Sequence, residues 1–359
     1  MPIQLLLLPY LAQKEILENL ELSEKIQLSA TSTRAANLFR SIKSTVDSLE
    51  MTITKDSVEL VFPDYDLEFQ FFYEKPLKNF EDWTINGSPL PVQANQKSLK
   101  FSLGAPKKIK KLKNKMEHVS RSLETVLLHL IHILKIQNID VRTQQATRNI
   151  PDYVSPRVSA IFTHLKSIQF REVELWKELK PDDCAQLLEL VTAQKLMICY
   201  PSRGKCNQKY QNVRQLPIEN LEMLWTGNWM DFSNAPNVKN IQLFLMSRFL
   251  ESGLEAANLF IKSWITGSHR FVENLKVKGG SENAKKTVLK RVKSVKTQLT
   301  VQHLNTIHQN HDGKCLKSSR HANDILRKSD GLRATVICCS QQTSVMVWTR
   351  ENLEKIGRV

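Results

Sequence analysis

The chain has 359 residues, 41% hydrophobic and 24% charged, which excludes a disordered, collagenous or membrane-embedded composition and gives enough apolar material for two or three domains or one extended array. Six cysteines spread unevenly over that length do not make a disulfide framework and suit a reducing compartment. The 51 lysines and arginines against 36 acids leave a charge of +15, which points first to nucleic acid, but seven lysines without an acid in 100–115 and six basic residues without an acid in 284–296 carry +13 of it. The remainder is near neutral. Neither run interleaves the aromatics that stack on bases, so both read as solvated loops or helix faces, with a nuclear-localisation signal in 107–115 or an RNA-contacting stripe in 285–296 as the alternatives.

The leading apolar residues, Leu5 to Leu8, have no basic residues ahead of them and are interrupted by Pro9 and then by Lys14, Glu15 and Glu18, so they do not read as an export signal. No stretch of about 18 apolar residues follows, and no membrane span is expected. The expected location is cytoplasmic, nuclear or both. Pro9 suits a helix start, and Ile16, Leu17 and Leu20 then fall on one helical face. Ser23 ahead of Glu24 predicts the cap of a second helix carrying Ile26 and Leu28, and Thr31, Ser32 or Thr33 the cap of a third with Ala35, Leu38, Phe39 and Ile42 inward. Three helices in 45 residues bury too little apolar surface to stand alone and need another chain or domain against them.

Leu8-Pro9, then Ile16-Leu17-x-x-Leu20, then Ile26-x-Leu28-Ser29-x-x-Ser32-x-Arg34 resembles an F-box, the module that docks on the Skp-family adaptor of cullin-based SCF ubiquitin ligases. The resemblance implies that Leu8, Pro9, Ile16, Leu17, Leu20, Ile26 and Leu28 contact the adaptor or support the contact. The Trp that many F-boxes carry in the third helix is absent from Arg34-Ala35-Ala36-Asn37.

Residues 57–62 and 67–73 alternate around Pro63-Asp64-Tyr65-Asp66 and predict a hairpin; Asn86-Gly87-Ser88-Pro89 marks a turn, and the first lysine run follows as a loop. A five-residue phrase then recurs: polar, Asn or Ser, Leu or Ile, polar, apolar. It stands at 47–51, 137–141, 166–170, 219–223, 239–243 and 273–277, with a worn copy around Leu196. Each copy predicts a short strand with one buried face, and helices are expected between them over 116–135, 181–191 and 254–266. From Ile139 onward the central residues lie 29, 28, 25, 20 and 34 apart, a leucine-rich-repeat-like period without the regular asparagine of true leucine-rich repeats. The expected fold class is α/β: a three-helix F-box over 1–45, a hairpin, basic loop and helix over 46–155, an irregular solenoid-like array over 156–280, and a basic segment with a closing β-hairpin over 281–359.

The stretches 224–229, 237–243, 260–268 and 272–277, followed by 324–336 and the strand Val345-Met346-Val347-Trp348, resemble the F-box-associated domain of the large nematode F-box family. Asp330-Gly331 is expected to supply the positive-φ residues of a tight turn in the closing hairpin. The family implies a division of labour, in which the F-box holds the adaptor and through it a cullin, and the array selects a target protein. Catalysis is assigned to a separate conjugating enzyme, and no residue of this chain to the transfer. Trp225, Trp229, Phe232 and Trp264 are candidates for target binding because aromatics dominate interfaces, with core packing as the competing role. His303, His308, His311, Cys315 and His321 match no zinc spacing, Cys338 and Cys339 point to opposite faces of a strand, and no phosphate loop or nucleophile elbow is present, so neither metal nor cofactor is expected. Two other functions compete with the adaptor: a basic nucleic-acid binder, and a repeat scaffold whose N-terminal helices only cap it.

Overall fold

The computed structural model describes residues 7–42, 44–73, 81–85, 88–95, 100–104, 111–143, 155–176, 179, 181–199, 216–225, 238–245, 250–279, 283–307, 319–339 and 342–357. The chain divides into two compact units, Met1–Val173 and Glu174–Val359.

The first unit opens with helices α1 (Tyr10–Glu18), α2 (Leu22–Ser29) and α3 (Thr33–Ile42). Pro9 precedes α1 with extended backbone, and its carbonyl accepts the Gln13 N–H at 3.0 Å. The cap of α2 is Glu21 and not Ser23: Glu21 and Glu24 form a reciprocal capping box, and Ser23 is buried. At α3 the Ser32 hydroxyl accepts the Ala35 N–H at 3.2 Å. Only one residue separates α3 from strand β1 (Ser44–Ile53), so the three helices run into the sheet without a linker.

The hairpin expected around Pro63 is β2 (Ser57–Phe62) and β3 (Leu67–Phe72), joined by a 3-10 turn at Pro63–Tyr65 with Asp66 in the left-handed region at φ 48°. Val58, Leu60, Phe62, Leu67, Phe69 and Phe71 are all buried, as alternation requires. A second hairpin follows in β4 (Glu81–Ile85) and β5 (Ser88–Asn95); the turn residues Asn86 and Gly87 lie outside the described residues. The first lysine run is not all loop. Lys100–Gly104 forms strand β6 because Phe101 and Leu103 alternate inward, and Phe101 stacks on Phe69 with ring centroids 4.9 Å apart. Residues 105–110 lie outside the described residues, and the end of the run begins α4 (Leu112–Ile133).

At about 1.5 Å per residue, the 22 residues of α4 give roughly 33 Å, ample for the crossover from β6 past β3, β2 and β1 to β7 (Leu134–Thr143). Helix α5 (Ser155–His164) packs on α4, and β8 (Gln169–Leu175) is the last strand here. The strand order is β8-β7-β1-β2-β3-β6-β5-β4, with β1 parallel to β7 and antiparallel to β2. The repeated phrase lies in register across β1 and β7, with Ser48 beside Asn138, Leu49 beside Ile139 and Met51 beside Val141.

The second unit contains α6 (Pro181–Leu190), β9 (Thr192–Ile198), β10 (Ile218–Trp225), β11 (Asn240–Leu245), α7 (Leu250–Ile265), β12 (Asn274–Lys278), α8 (Ala284–Val288), β13 (Val295–Lys296), α9 (Val301–Ile307), β14 (Ala322–Leu326), β15 (Arg333–Cys338), β16 (Gln342–Val347) and α10 (Arg350–Lys355). Strands β9 to β12 are parallel, and the phrase is again in register: Leu196, Leu221, Ile241 and Leu275 follow one another across the four strands. Beside β12 the pattern changes. β16 enters antiparallel, followed by β15, β14 and β13 in an all-antiparallel set, which a stack of like strand–helix units does not contain. The second basic run supplies α8 and β13.

In the hairpin of β14 and β15 the turn is six residues, 327–332, and only Gly331 has positive φ, at 71°; Asp330 instead grips the Arg327 guanidinium through Oδ1 at 3.0 Å and Oδ2 at 2.6 Å. Trp264 is 1% exposed inside the unit, with Arg327 over its ring at 5.1 Å. A buried indole cannot form a docking surface, so Trp264 is corrected from candidate contact to core residue.

Candidate functional site

The F-box-like helices divide their apolar residues between core and surface. Leu17, Leu22, Ile26, Ala35, Ala36 and Phe39 are buried, and Ser29 closes the inner side of α2. On the outside, Leu7 is 71% exposed, Tyr10 51%, Leu11 77% and Ile16 39%. Of the residues singled out from sequence, Pro9 and Ile16 are exposed, Leu8, Leu20 and Leu28 half-buried, and Leu17 and Ile26 fully inside. The Gln13 side-chain amide donates to the Leu8 carbonyl at 2.6 Å and ties the segment before α1 to the helix. Leu7, Tyr10 and Leu11 were not picked out by the leucine spacing; their signal was the surplus of apolar residues ahead of a helix too small to hide them.

The helices are held from within by α4. The Ser29 hydroxyl donates to the Ile26 carbonyl at 2.7 Å, so the 2.9 Å contact with His129 is a bond from the imidazole Nε2–H to the Ser29 oxygen. That leaves His129 Nδ1 buried without a hydrogen-bond partner among the described residues. Burial, with His132 nearby, pushes the imidazole down to about 4, so it is neutral at ordinary pH.

In the second unit the phrase carries a second pattern on its outward face. Asn274 Nδ2 donates to Asn240 Oδ1 at 2.7 Å, Asn240 Nδ2 to Asn220 Oδ1 at 2.8 Å, and Asn220 Nδ2 to the Gln194 carbonyl at 2.9 Å. These side chains form a ladder across β10, β11 and β12. At its end Asn352 at the start of α10 accepts from Asn274 at 3.5 Å and donates to the Val347 carbonyl at 2.9 Å. Met346, Ile337 and Ala322 on the same side of the antiparallel strands are covered by Leu299, Leu304 and Ile356 from the segments around α9 and α10. The covering stops at β12. Beyond it a recess of about 280 Å³ opens, floored by the Asn ladder, Glu222, Gln242 and Lys276 and walled by Thr306, Asn352, Lys355 and Ile356. Three of the asparagines hold the same place in the repeated phrase, so this site was legible as a periodicity but not as a cavity.

Trp225 ends β10 with its side chain outside the described residues, where Trp229 and Phe232 also lie. His308, His311 and Cys315 fall there too. His303 has a local role, its Nδ1 accepting the Thr300 N–H at 3.4 Å while its own N–H reaches the Thr300 hydroxyl at 3.2 Å, and His321 Nε2 accepts from Arg320 at 3.2 Å. Among the described residues no group of three or more His, Cys, Asp or Glu is placed to hold a metal ion, and no helix is long and apolar enough to cross a membrane. Burial pushes the Cys199 thiol up to about 11 and that of Cys338 to about 12, the opposite of what an activated nucleophile needs.

No curated protein and no solved structure matches the chain. The family model of the F-box domain matches residues 5–47, which takes in α1, α2, α3 and the first residues of β1. The three helices with the exposed apolar face are thus an F-box domain, carried at the N-terminal end of a mixed α/β chain.

Proposed function

We propose that the chain is the target-selecting subunit of an SCF-type cullin ubiquitin ligase. The F-box holds a Skp-family adaptor, and through it the cullin, while the second unit binds a target protein. F-box domains serve this adaptor role in general. The observation that carries the proposal here is the set of exposed apolar side chains, Leu7 ahead of α1 and Tyr10, Leu11 and Ile16 on it. Burying such side chains against a partner is worth about 1.5–3 kcal/mol each. The contact set consists of these four with Leu8, Pro9, Leu20 and Leu28, and Leu17 and Ile26 support it from the core.

In this role the chain needs no nucleophile of its own, because its contribution to ubiquitin transfer is to hold the target near a separate conjugating enzyme. The second unit acts as an irregular, repeat-like array whose in-register strands present a broad face. The test is a binding titration of the full chain with a purified Skp-family adaptor, comparing the natural sequence with a Leu8→Asp, Pro9→Ala variant. Sub-micromolar binding that the variant loses supports the proposal; an adaptor that does not bind the intact chain defeats it.

A further inference from the structure

Lys276, in the middle of β12, stands apart from its neighbours. Lys195 pairs with Glu222 at 3.5 Å, Lys239 with Glu351 at 2.6 Å and Lys355 with Glu351 at 2.9 Å. Lys276 has no ion pair within 4.0 Å among the described residues, although it is half-buried in the recess. Beside it on β11, the Gln242 side chain makes no hydrogen bond among the described residues, and Asn220 and Asn240 each have a second amide N–H that the ladder does not use. Glu222 acts on it only at longer range and already pairs with Lys195, so a half-buried ammonium beside unused amide donors is an arrangement that an anion would complete.

We infer that the recess seats one carboxylate side chain from an extended acidic segment of a target protein, with Lys276 taking its charge and the Gln242 and Asn240 amides its oxygens. At about 280 Å³ the recess has room for one carboxylate side chain. Charge favours a carboxylate over a phosphate. One ammonium is free, Lys355 is engaged by Glu351, and no arginine lines the recess, whereas a dianion attracts bidentate guanidinium partners. Glu222, the one acid in the lining, is held by Lys195, and Lys278 farther along β12 lies over the Phe244 ring at 4.4 Å. Burial lowers the Lys276 pKa against the opposing pull of Glu222, and an added carboxylate would favour the ammonium.

That the occupant belongs to a target protein rests on the proposed ligase role; the carboxylate site itself does not. The test is selection of a random-peptide phage library on the full-length chain, followed by titration of synthetic peptides made from the selected consensus. The expected consensus carries Asp or Glu at one position, and replacing that residue by Asn or Gln weakens binding about tenfold. Lys276→Gln weakens the acidic peptide by a similar factor without affecting its amide version, and Lys276→Glu shifts selection toward Lys or Arg. Gln242→Ala, a milder change, weakens the acidic peptide several-fold and serves where a Lys276 variant fails to fold. The assignment is overturned by a selection without an acidic position, by Lys276→Gln and Gln242→Ala binding like the natural chain, or by a phosphoserine peptide binding tenfold tighter than its glutamate counterpart. Adaptor binding, measured on the same samples, should be unchanged by these variants. A natural chain that binds the adaptor but selects no acidic position rejects the recess alone, and a natural chain that selects an acidic position but does not bind the adaptor rejects the ligase role alone.

Discussion

Ser29 in the F-box and His129 in α4, a hundred residues later, share a buried hydrogen bond of 2.9 Å. The bond joins a module usually thought of as detachable to the helix that crosses the first unit's sheet. Ala35, Ala36 and Phe39 are buried within the same unit, and β1 follows α3 almost at once. Deleting residues 1–45 would therefore strip a face of the first unit whether the helices serve as an F-box or as a plain cap. Surface substitutions separate the two roles; truncation does not.

The same histidine predicts an acid sensitivity. Its folded pKa of about 4 lies below the unfolded value near 6.5, so the neutral form is favoured by folding. The contribution is fully present above pH 6.5 and is lost as pH falls from there toward 4, on the order of 3 kcal/mol in total. Urea unfolding followed between pH 7.5 and 4 should show a fall that His129→Gln flattens. A slope unchanged by the substitution would place the acid-sensitive group elsewhere.

Leu17 and Ile16 are neighbours in sequence with opposite surroundings, 0% and 39% exposed. Leu17→Ala should destabilise the chain by about 2–5 kcal/mol. Ile16→Asp should leave the thermal midpoint within about 2 °C while weakening adaptor binding at least tenfold. Calorimetry and a binding titration on both variants check the division, and a stability loss at Ile16 equal to that at Leu17 would remove it.

The Asn ladder predicts unequal costs along the repeated phrase. Asn240 both donates to Asn220 and accepts from Asn274, so Asn240→Ala should cost about 1–3 kcal/mol by leaving both neighbours short of a partner. Asn138 makes one exposed bond, to the Asp47 carbonyl at 3.1 Å, and its alanine variant should cost about 0.5–1.5 kcal/mol. Equal losses in denaturant unfolding would mean that the ladder carries no shared stability.

Local patterns translated well from sequence to structure. The Pro63 hairpin, the helices α4, α6 and α7, and the strands at five of the six copies of the repeated phrase follow from periodicity, because each depends on residues close in the chain; the copy at 166–170 lies largely ahead of β8, which begins at Gln169. Strand β6 is hidden inside a lysine run, since Phe101 and Leu103 are only two inward residues beside seven lysines in the same window. The insertion of β16 beside β12 depends on a pairing across about seventy residues that no local pattern records. Burial decided the roles of Leu17, Ile26 and Trp264, and burial is a property of what packs on a helix rather than of the helix itself. The recess is not legible in the sequence for the same reason. Its asparagines were visible in the phrase, but α9 and α10 make them one wall of a cavity.

The most direct test of the ligase assignment is a calorimetric titration of the full chain, and of its Leu11→Asp variant, with a purified Skp-family adaptor. Leu11 is 77% exposed and outside the core, so the variant should melt with the natural chain. The account predicts that the natural chain binds and that the variant binds on the order of 10–100-fold more weakly. Equal binding by the two, or none by the natural chain, would contradict it.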